Sequence, residues 1–76
     1  MTEKIFDEMM VNQNDCCAIC KKKFIKRRSV FIDHDHNNNK VRGLLCPSCN
    51  TMIGLAKENL DVLDEARDYL IKFKLY

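Results

Sequence analysis

Four cysteines occur as two pairs with the same spacing, Cys17 with Cys20 and Cys46 with Cys49. A Cys-x-x-Cys turn directs two sulfur atoms to one side, and two such turns supply the four thiolates of a tetrahedral zinc site. The 25 residues between the pairs slightly exceed the usual ribbon spacing, but a β-hairpin fits in that interval. A redox-active pair and unrelated buried cysteines are the alternatives, and the matched spacing favours zinc.

A fifth cysteine, Cys16, directly precedes the first pair and competes with Cys17 as a ligand. The two-residue spacing to Cys20 favours Cys17, which leaves Cys16 as a spare thiol. Four sulfur ligands leave no open coordination position, so the predicted zinc is structural. It would connect residues 21–28 and two strands to the helix that follows.

The segment DHDH at residues 33–36 is the second group of chemically active residues, and Asn50 directly follows Cys49. Carboxylate and amide oxygens suit Mg²⁺ or Mn²⁺, and histidine is the usual general base near neutral pH. In a regular strand Asp33 and His34 point to opposite faces, so a shared site requires the strand to bend or end there. Considered alone, the segment fits solvated turn residues or a second zinc site equally well.

The length of 76 residues predicts one domain, residues 1–76, with a core small enough to need a metal or disulfides. The N-terminus lacks the apolar run of a signal peptide. No segment reaches the roughly 18 apolar residues of a membrane span. We therefore expect a cytoplasmic protein with no membrane partner, and in a reducing compartment paired cysteines favour metal over disulfide.

Basic residues are concentrated in the middle of the chain. Residues 16–50 contain eight Lys or Arg against two Asp, whereas the flanks contain five basic and nine acidic residues. Such a segment suits an anionic partner, with nucleic acid the leading candidate and a solubilising loop the alternative. The predicted nucleic-acid contacts are Lys21, Lys22, Lys23, Lys26, Arg27, Arg28 and Arg42.

Helices and a hairpin must position these groups. Thr2 is expected to cap a first helix, and residues 29–33 and 41–45 are expected strands joined by a turn at residues 37–40. Pro47 and Ser48 mark the start of a second helix, because proline favours a first turn and serine a cap. The sequence thus predicts an α+β fold.

A third helix is expected to begin after Asn59, which can cap it. Apolar residues recur in it at spacings of three and four, which predicts a stripe on one face. This stripe is expected to pack on the rest of the domain, with a dimer seam as the alternative. Its members are Leu60, Leu63, Ala66, Leu70 and Phe73.

The combined pattern of motifs resembles the phage recombination endonuclease VII family. In chain order these motifs are CxxC, a hydrophobic strand running into DHDH, VRGLLC, CN and IGLA. That family belongs to the His-Me finger (HNH-like, ββα-metal) nucleases, and the resemblance covers residues 17–55. It implies a zinc-stapled ββα-metal domain with flanking helices. It also implies a metal-dependent DNA endonuclease or nickase.

The resemblance further implies residue roles. Asp33 and Asn50 would hold one Mg²⁺ or Mn²⁺, His34 would activate a water for attack on the phosphodiester, and His36 would bind the scissile phosphate. Asp35 would orient a histidine or support the ion's ligands from behind, and it is not expected to be a ligand itself. Family members that resolve branched DNA carry a long C-terminal extension used in dimerisation and junction binding, whereas this sequence stops at Tyr76. The resemblance therefore implies DNA cleavage, and junction resolution does not follow from it.

A noncatalytic zinc-ribbon module is the competing hypothesis. It would bind nucleic acid through residues 21–28 and Arg42, but it leaves Asp33, His34 and Asn50 without a role. A homodimer or a larger phage complex in the cytoplasm of a bacterial host is compatible with either hypothesis.

Overall fold

The computed structural model describes residues 2–73, so the two ends of the expected domain 1–76 lie outside the described residues. Three helices and two strands confirm the predicted α+β class. Within residues 2–73 no helix has the length and apolarity needed to cross a membrane. In chain order the elements are α1 (Glu3–Asn12), a 3₁₀ turn (Arg27–Ser29), β1 (Phe31–His34), β2 (Val41–Leu45), α2 (Pro47–Leu55) and α3 (Leu60–Phe73).

The two strands form an antiparallel hairpin that contains a β-bulge. Asp33 lies opposite Gly43, but the next residue, His34, pairs with Val41. Arg42 is therefore an extra residue in β2. A bulge of this kind bends the strand and changes the direction of nearby side chains.

The predicted caps are partly correct. Thr2 caps α1 by accepting a hydrogen bond from the backbone of Ile5 at 3.2 Å. The second helix begins at Pro47 as predicted, but its cap is Cys46 rather than Ser48. The Cys46 sulfur accepts a hydrogen bond from the Cys49 N–H at 3.4 Å, so one cysteine both caps α2 and faces the other pair.

The predicted start of the first strand was wrong. Residues 27–29 turn into a 3₁₀ helix, so β1 begins at Phe31 and extends through His34. The predicted bounds of the second strand, residues 41–45, are confirmed.

The buried hydrophobic core is small. Among the described residues it consists of Cys17, Leu44, Leu45 and Cys49. Two of these four residues belong to the cysteine pairs. A domain that buries so little apolar surface usually needs an additional cross-link for stability.

Gln13 joins the end of α1 to the outer edge of β2. Its Nε2 donates to the carbonyl oxygens of Cys16 at 2.8 Å and Leu44 at 3.0 Å, and its Oε1 accepts from the Leu44 N–H at 3.0 Å. The side-chain amide therefore takes the place of a third strand along this edge. A Cβ at Gly43 would lie 3.4 Å from Oε1, which is ordinary van der Waals contact.

Helix α3 leaves the rest of the domain with most of its surface exposed. Asn59 caps it as predicted, because its Oδ1 accepts from the Val62 N–H at 3.1 Å. Only Leu63 is half-buried within the described part of α3, and Leu70 is 62% exposed. The expected packing of the apolar stripe on the domain is therefore wrong beyond the first turn, since Ala66, Leu70 and Phe73 are exposed.

Candidate functional site

The two Cys-x-x-Cys pairs meet at one end of the hairpin. Their four sulfur atoms lie within 4.8 Å of one another, and the sulfurs of Cys20 and Cys46 are 3.9 Å apart. A zinc ion with Zn–S bonds of about 2.3 Å separates its ligand sulfurs by roughly 3.8 Å in a tetrahedron. The cluster of Cys17, Cys20, Cys46 and Cys49 therefore fits a structural zinc site.

Cys16 lies outside this cluster. Its sulfur is 3.1 Å from the carbonyl oxygen of Asn14, and its backbone pairs with Lys23 in an isolated antiparallel bridge. Cys17 is buried and its sulfur accepts from the Ile19 N–H at 3.4 Å. The structure thus places Cys17, and not its neighbour, among the four clustered sulfurs.

The electrostatics of the cluster favour a bound cation. Burial raises the pKa of the Cys17 thiol, but backbone hydrogen bonds at Cys46, Cys20 and Ile19 outweigh burial and lower this pKa to about 6. Burial, hydrogen bonds with the other three thiols and the charge of Cys17 raise the pKa of Cys49 to about 12. Without a cation the cluster therefore favours the thiolate of Cys17 and disfavours that of Cys49. Zn²⁺ would supply the charge that four thiolates require.

The DHDH segment begins in the last two residues of β1. The Asp33 side chain is 13% exposed, whereas His34 is exposed at the end of the strand. The bulge between these two residues meets the requirement that the strand bend or end if both are to serve one site.

Asn50 lies in the first turn of α2, which packs against β1. Its position is fixed by the adjacent Cys49, which is buried in the sulfur cluster. Asn50 is half-buried, and its side chain makes no hydrogen bond to other described residues. Its amide oxygen is therefore available to a ligand.

Arg42, the extra residue of the bulge, holds Asp33 in a two-point ion pair. Its Nε and Nη2 donate to the two Asp33 carboxylate oxygens at 2.7 and 3.0 Å, and Nη2 also lies 2.7 Å from Glu58 Oε1. The other Glu58 oxygen is 2.8 Å from His36 Nε2. The hydrogen bonds with Asp33 and Glu58 raise the pKa of Arg42 above its usual value. Four charged or titratable side chains thus form one connected chain, Asp33–Arg42–Glu58–His36.

Three of these four side chains border a groove of about 440 Å³ between the hairpin, the end of α2 and the start of α3. Asp33, Arg42 and Glu58 form its polar part. Sequence analysis missed Glu58, because it lies in a turn without a motif and no spacing rule connects residue 58 with residue 42. The remaining lining residues are Ile19, Gly43, Leu45, Ile53, Leu60 and Leu63.

Three of the predicted nucleic-acid contacts share a second groove. Lys22, Lys23 and Lys26 line a groove of about 650 Å³ that also touches the cysteine cluster and the start of α2. Its wall includes the side chain of Phe24. Three ammonium groups and a helix N-terminus make this groove electropositive.

The other predicted contacts have different surroundings. Arg27 pairs with Asp7 and its guanidinium lies 4.4 Å from the centre of the Phe6 ring, so it connects the 3₁₀ turn to α1. Lys21 and Arg28 are exposed. Arg42 is held between two carboxylates, as described above.

The fold and the sulfur cluster define a small α+β protein built around a candidate four-cysteine metal centre. Residues 1–72 match the family described as recombination endonuclease VII. The chain belongs to this family.

Two phage proteins are among its relatives. "Gene 59 protein" of Mycobacterium phage D29 is 44% identical over 61 residues, which are 79% of this chain and 37% of the relative. "Gene 59 protein" of Mycobacterium phage L5 is 37% identical over 60 residues, 78% of this chain and 37% of the relative. The chain therefore matches little more than a third of the length of these relatives.

Proposed function

We propose that residues 1–76 form one His-Me finger (HNH-like) nuclease domain that hydrolyses DNA phosphodiester bonds, as an endonuclease or nickase, with the help of a divalent ion. The observation that carries this proposal is the packing of α2 against β1. This packing connects Asn50, next to the cysteine cluster, with the strand that ends in Asp33 and His34. Membership of the endonuclease VII family supports the same reaction.

Zinc on the four clustered cysteines has a structural role in this proposal. Its four sulfur ligands leave no position for substrate. Because Cys46 caps α2 and Cys49 is buried in its first turn, the ion joins that helix to the turn that carries Cys17 and Cys20. Asn50 is thereby held in place.

Asp33 and Asn50 fit Mg²⁺ or Mn²⁺ as the catalytic ion. Both residues offer oxygen atoms, the ligands these ions prefer, and the Asn50 amide has no protein partner among the described residues. When bound, the ion neutralises charge on the phosphate and on the leaving 3′ oxygen. Arg42 contacts both Asp33 oxygens, so it must share or release Asp33 when the ion binds.

His34 acts as the general base. It is exposed at the end of β1 and accepts a proton from water while the water oxygen bonds to phosphorus and the bond from phosphorus to the 3′ oxygen breaks. General acid–base catalysis typically contributes about 10² to 10⁴ in rate. His36 contacts the scissile phosphate through the ring nitrogen that is not paired with Glu58.

Asp35 shapes the loop that follows these histidines. Its Oδ1 accepts from the Asn37 N–H at 2.8 Å, and its backbone N–H donates to the Lys40 carbonyl at 2.8 Å. These contacts form a turn of the type in which aspartate is favoured. Asp35 therefore acts on the conformation of the DHDH segment and is not an ion ligand.

DNA binds across the electropositive groove lined by Lys22, Lys23 and Lys26. Lysine side chains contact phosphates and carry no base information, so binding through this groove is independent of sequence. Exposed Lys21 and Arg28 extend the same surface.

A plasmid-nicking assay with and without EDTA, Mg²⁺ and Mn²⁺ tests the proposal. His34→Ala should lose cleavage by about 10²-fold or more, while zinc content, thermal stability and DNA affinity stay at wild-type values. Asn37→Ala changes an exposed side chain in the same loop and should cleave as the wild type does. Asp33→Ala and Asn50→Ala should weaken the response to added ion, because each removes a ligand oxygen. Wild-type cleavage by folded, zinc-loaded His34→Ala protein would refute this mechanism.

A noncatalytic nucleic-acid-binding module is the second candidate. It is favoured by the Arg42 ion pair, which engages both oxygens of the predicted ion ligand Asp33. Binding that depends on Lys22, Lys23 and Lys26, with no cleavage by the wild type in either ion, would establish this module in place of the nuclease.

A further inference from the structure

Glu58 connects two side chains that the proposed reaction requires. Its Oε1 lies 2.7 Å from Arg42 Nη2, and its Oε2 lies 2.8 Å from His36 Nε2. The Glu58 side chain is 29% exposed, whereas that of His36 is 80% exposed. We propose that Glu58 is a positioning residue that holds Arg42 and His36 for cleavage; this inference rests on the proposed nuclease function.

The contact with Glu58 determines how His36 faces the substrate. Because Nε2 lies beside the Glu58 carboxylate, Nδ1 is the ring nitrogen left for the phosphate. An exposed imidazole without such a contact rotates freely about its side-chain bonds. A misplacement of about 1 Å costs roughly 10²-fold in rate when a group must meet a reacting centre.

For Arg42, Glu58 supplies a second anionic partner. The guanidinium lies between Asp33 and Glu58, with Nη2 bonded to both carboxylates. If Asp33 is used to hold a divalent ion, Glu58 keeps Arg42 beside the site. There its charge faces the same phosphate that His36 contacts.

The backbone at this position is unfavourable for glutamate. Lys57 and Glu58 both have φ of 54°, in the left-handed region that glycine adopts without penalty. Their N–H groups bond to the carbonyls of Gly54 at 3.0 Å and Ile53 at 2.9 Å, and so close α2 in the manner usual for a C-terminal glycine. Strained residues of this kind cluster at functional sites, and the Glu58 carboxylate makes two ion-pair contacts, with Arg42 and His36, that glycine could not make.

The neighbouring residue provides a matched control. Glu58→Gly removes the carboxylate and relieves the backbone, whereas Lys57→Gly makes the same backbone change and leaves both Glu58 contacts in place. Glu58→Gln keeps the shape and one acceptor oxygen but removes the charge. For each variant we would measure kcat and KM in plasmid nicking, the midpoint of thermal unfolding, and the ¹⁵N NMR signals of the His36 ring.

Lys57→Gly should keep the wild-type kcat with an unfolding midpoint no lower than that of the wild type. Glu58→Gly should lose about 10²-fold in kcat although its midpoint stays within a few degrees, and Glu58→Gln should fall between the two. The His36 ring signals should change in Glu58→Gly and not in Lys57→Gly. Adding Glu58→Gly to His36→Ala should lower kcat by less than it does in the wild type, because the two residues act together.

A wild-type kcat in Glu58→Gly would overturn the proposal, as would equal losses in the two glycine variants. If Glu58→Gly does not fold, an unchanged kcat in Glu58→Gln overturns it instead. If the wild type cleaves no DNA, the proposed nuclease function is wrong whatever the role of Glu58. The NMR signals of the His36 ring then test separately whether Glu58 positions His36. In that case unchanged His36 signals in the folded Glu58 variants would overturn the positioning role, and altered signals would support it.

Discussion

Gln13→Ala should destabilise the domain by about 2–3 kcal/mol, because the variant leaves a buried donor without an acceptor. The amide makes three hydrogen bonds, of 2.8, 3.0 and 3.0 Å, and two of them involve Leu44, which is 0% exposed. The Leu44 carbonyl keeps a hydrogen bond from the Ala18 N–H at 3.1 Å. The group left without a hydrogen-bond partner is therefore mainly the Leu44 N–H. An unsatisfied buried donor costs about 1–3 kcal/mol, and each remaining bond contributes about 0.5–1.5 kcal/mol at most.

This loss is large for a chain of this length, whose total stability is about 4–11 kcal/mol. One kcal/mol changes the unfolding midpoint of such a domain by about 4–8 °C, so the midpoint should fall by at least about 8 °C. The measurement is thermal unfolding followed by circular dichroism, with equal zinc content in both proteins. Asn12→Ala, at the exposed end of α1, is the control and should stay within about 0.5 kcal/mol of the wild type. Equal midpoints for the two variants would show that the Leu44 edge does not depend on Gln13.

Elemental analysis should give one zinc per chain. Cys46→Ser should lose the zinc and the fold together, whereas Cys16→Ser should keep both. A folded, metal-free Cys46→Ser protein would contradict the structural role of the zinc. Replacing Lys22, Lys23 and Lys26 with alanine should weaken DNA binding and reduce the slope of log affinity against log salt by up to about 0.9 for each phosphate that is no longer neutralised. An unchanged slope would make this groove a solubilising surface. The affinity for zinc should fall as the pH falls, because the four cysteines hold the ion as thiolates and protons compete with zinc for them. An affinity that stays the same between pH 8 and pH 5 would contradict this account.

The parts of the fold that local spacing controls were predictable from sequence. A Cys-x-x-Cys turn places its two sulfurs by local backbone geometry, so the clustering of both pairs followed from four positions. The second strand and the caps at Thr2 and Asn59 depend on neighbouring residues in the same way. These features needed no knowledge of the tertiary packing.

Contacts between distant residues that belong to no motif were not predictable. Gln13 bonds to Leu44, 31 residues away, and Glu58 contacts two residues in the hairpin and its loop. Neither residue belongs to a motif, and both act through side-chain contacts that exist only after the chain has folded. The periodicity of α3 predicted an apolar face correctly in kind, but periodicity does not specify what covers that face.

The sulfur cluster also affects the order in which the chain folds. A metal ion bound by both pairs closes a loop of 25 residues that contains the whole hairpin, and closing such a loop costs about 3 kcal/mol of chain entropy by the logarithmic rule. Once that closure has occurred, β1 and β2 search for their register within a short tethered segment. The rate of hairpin formation should therefore increase with metal concentration.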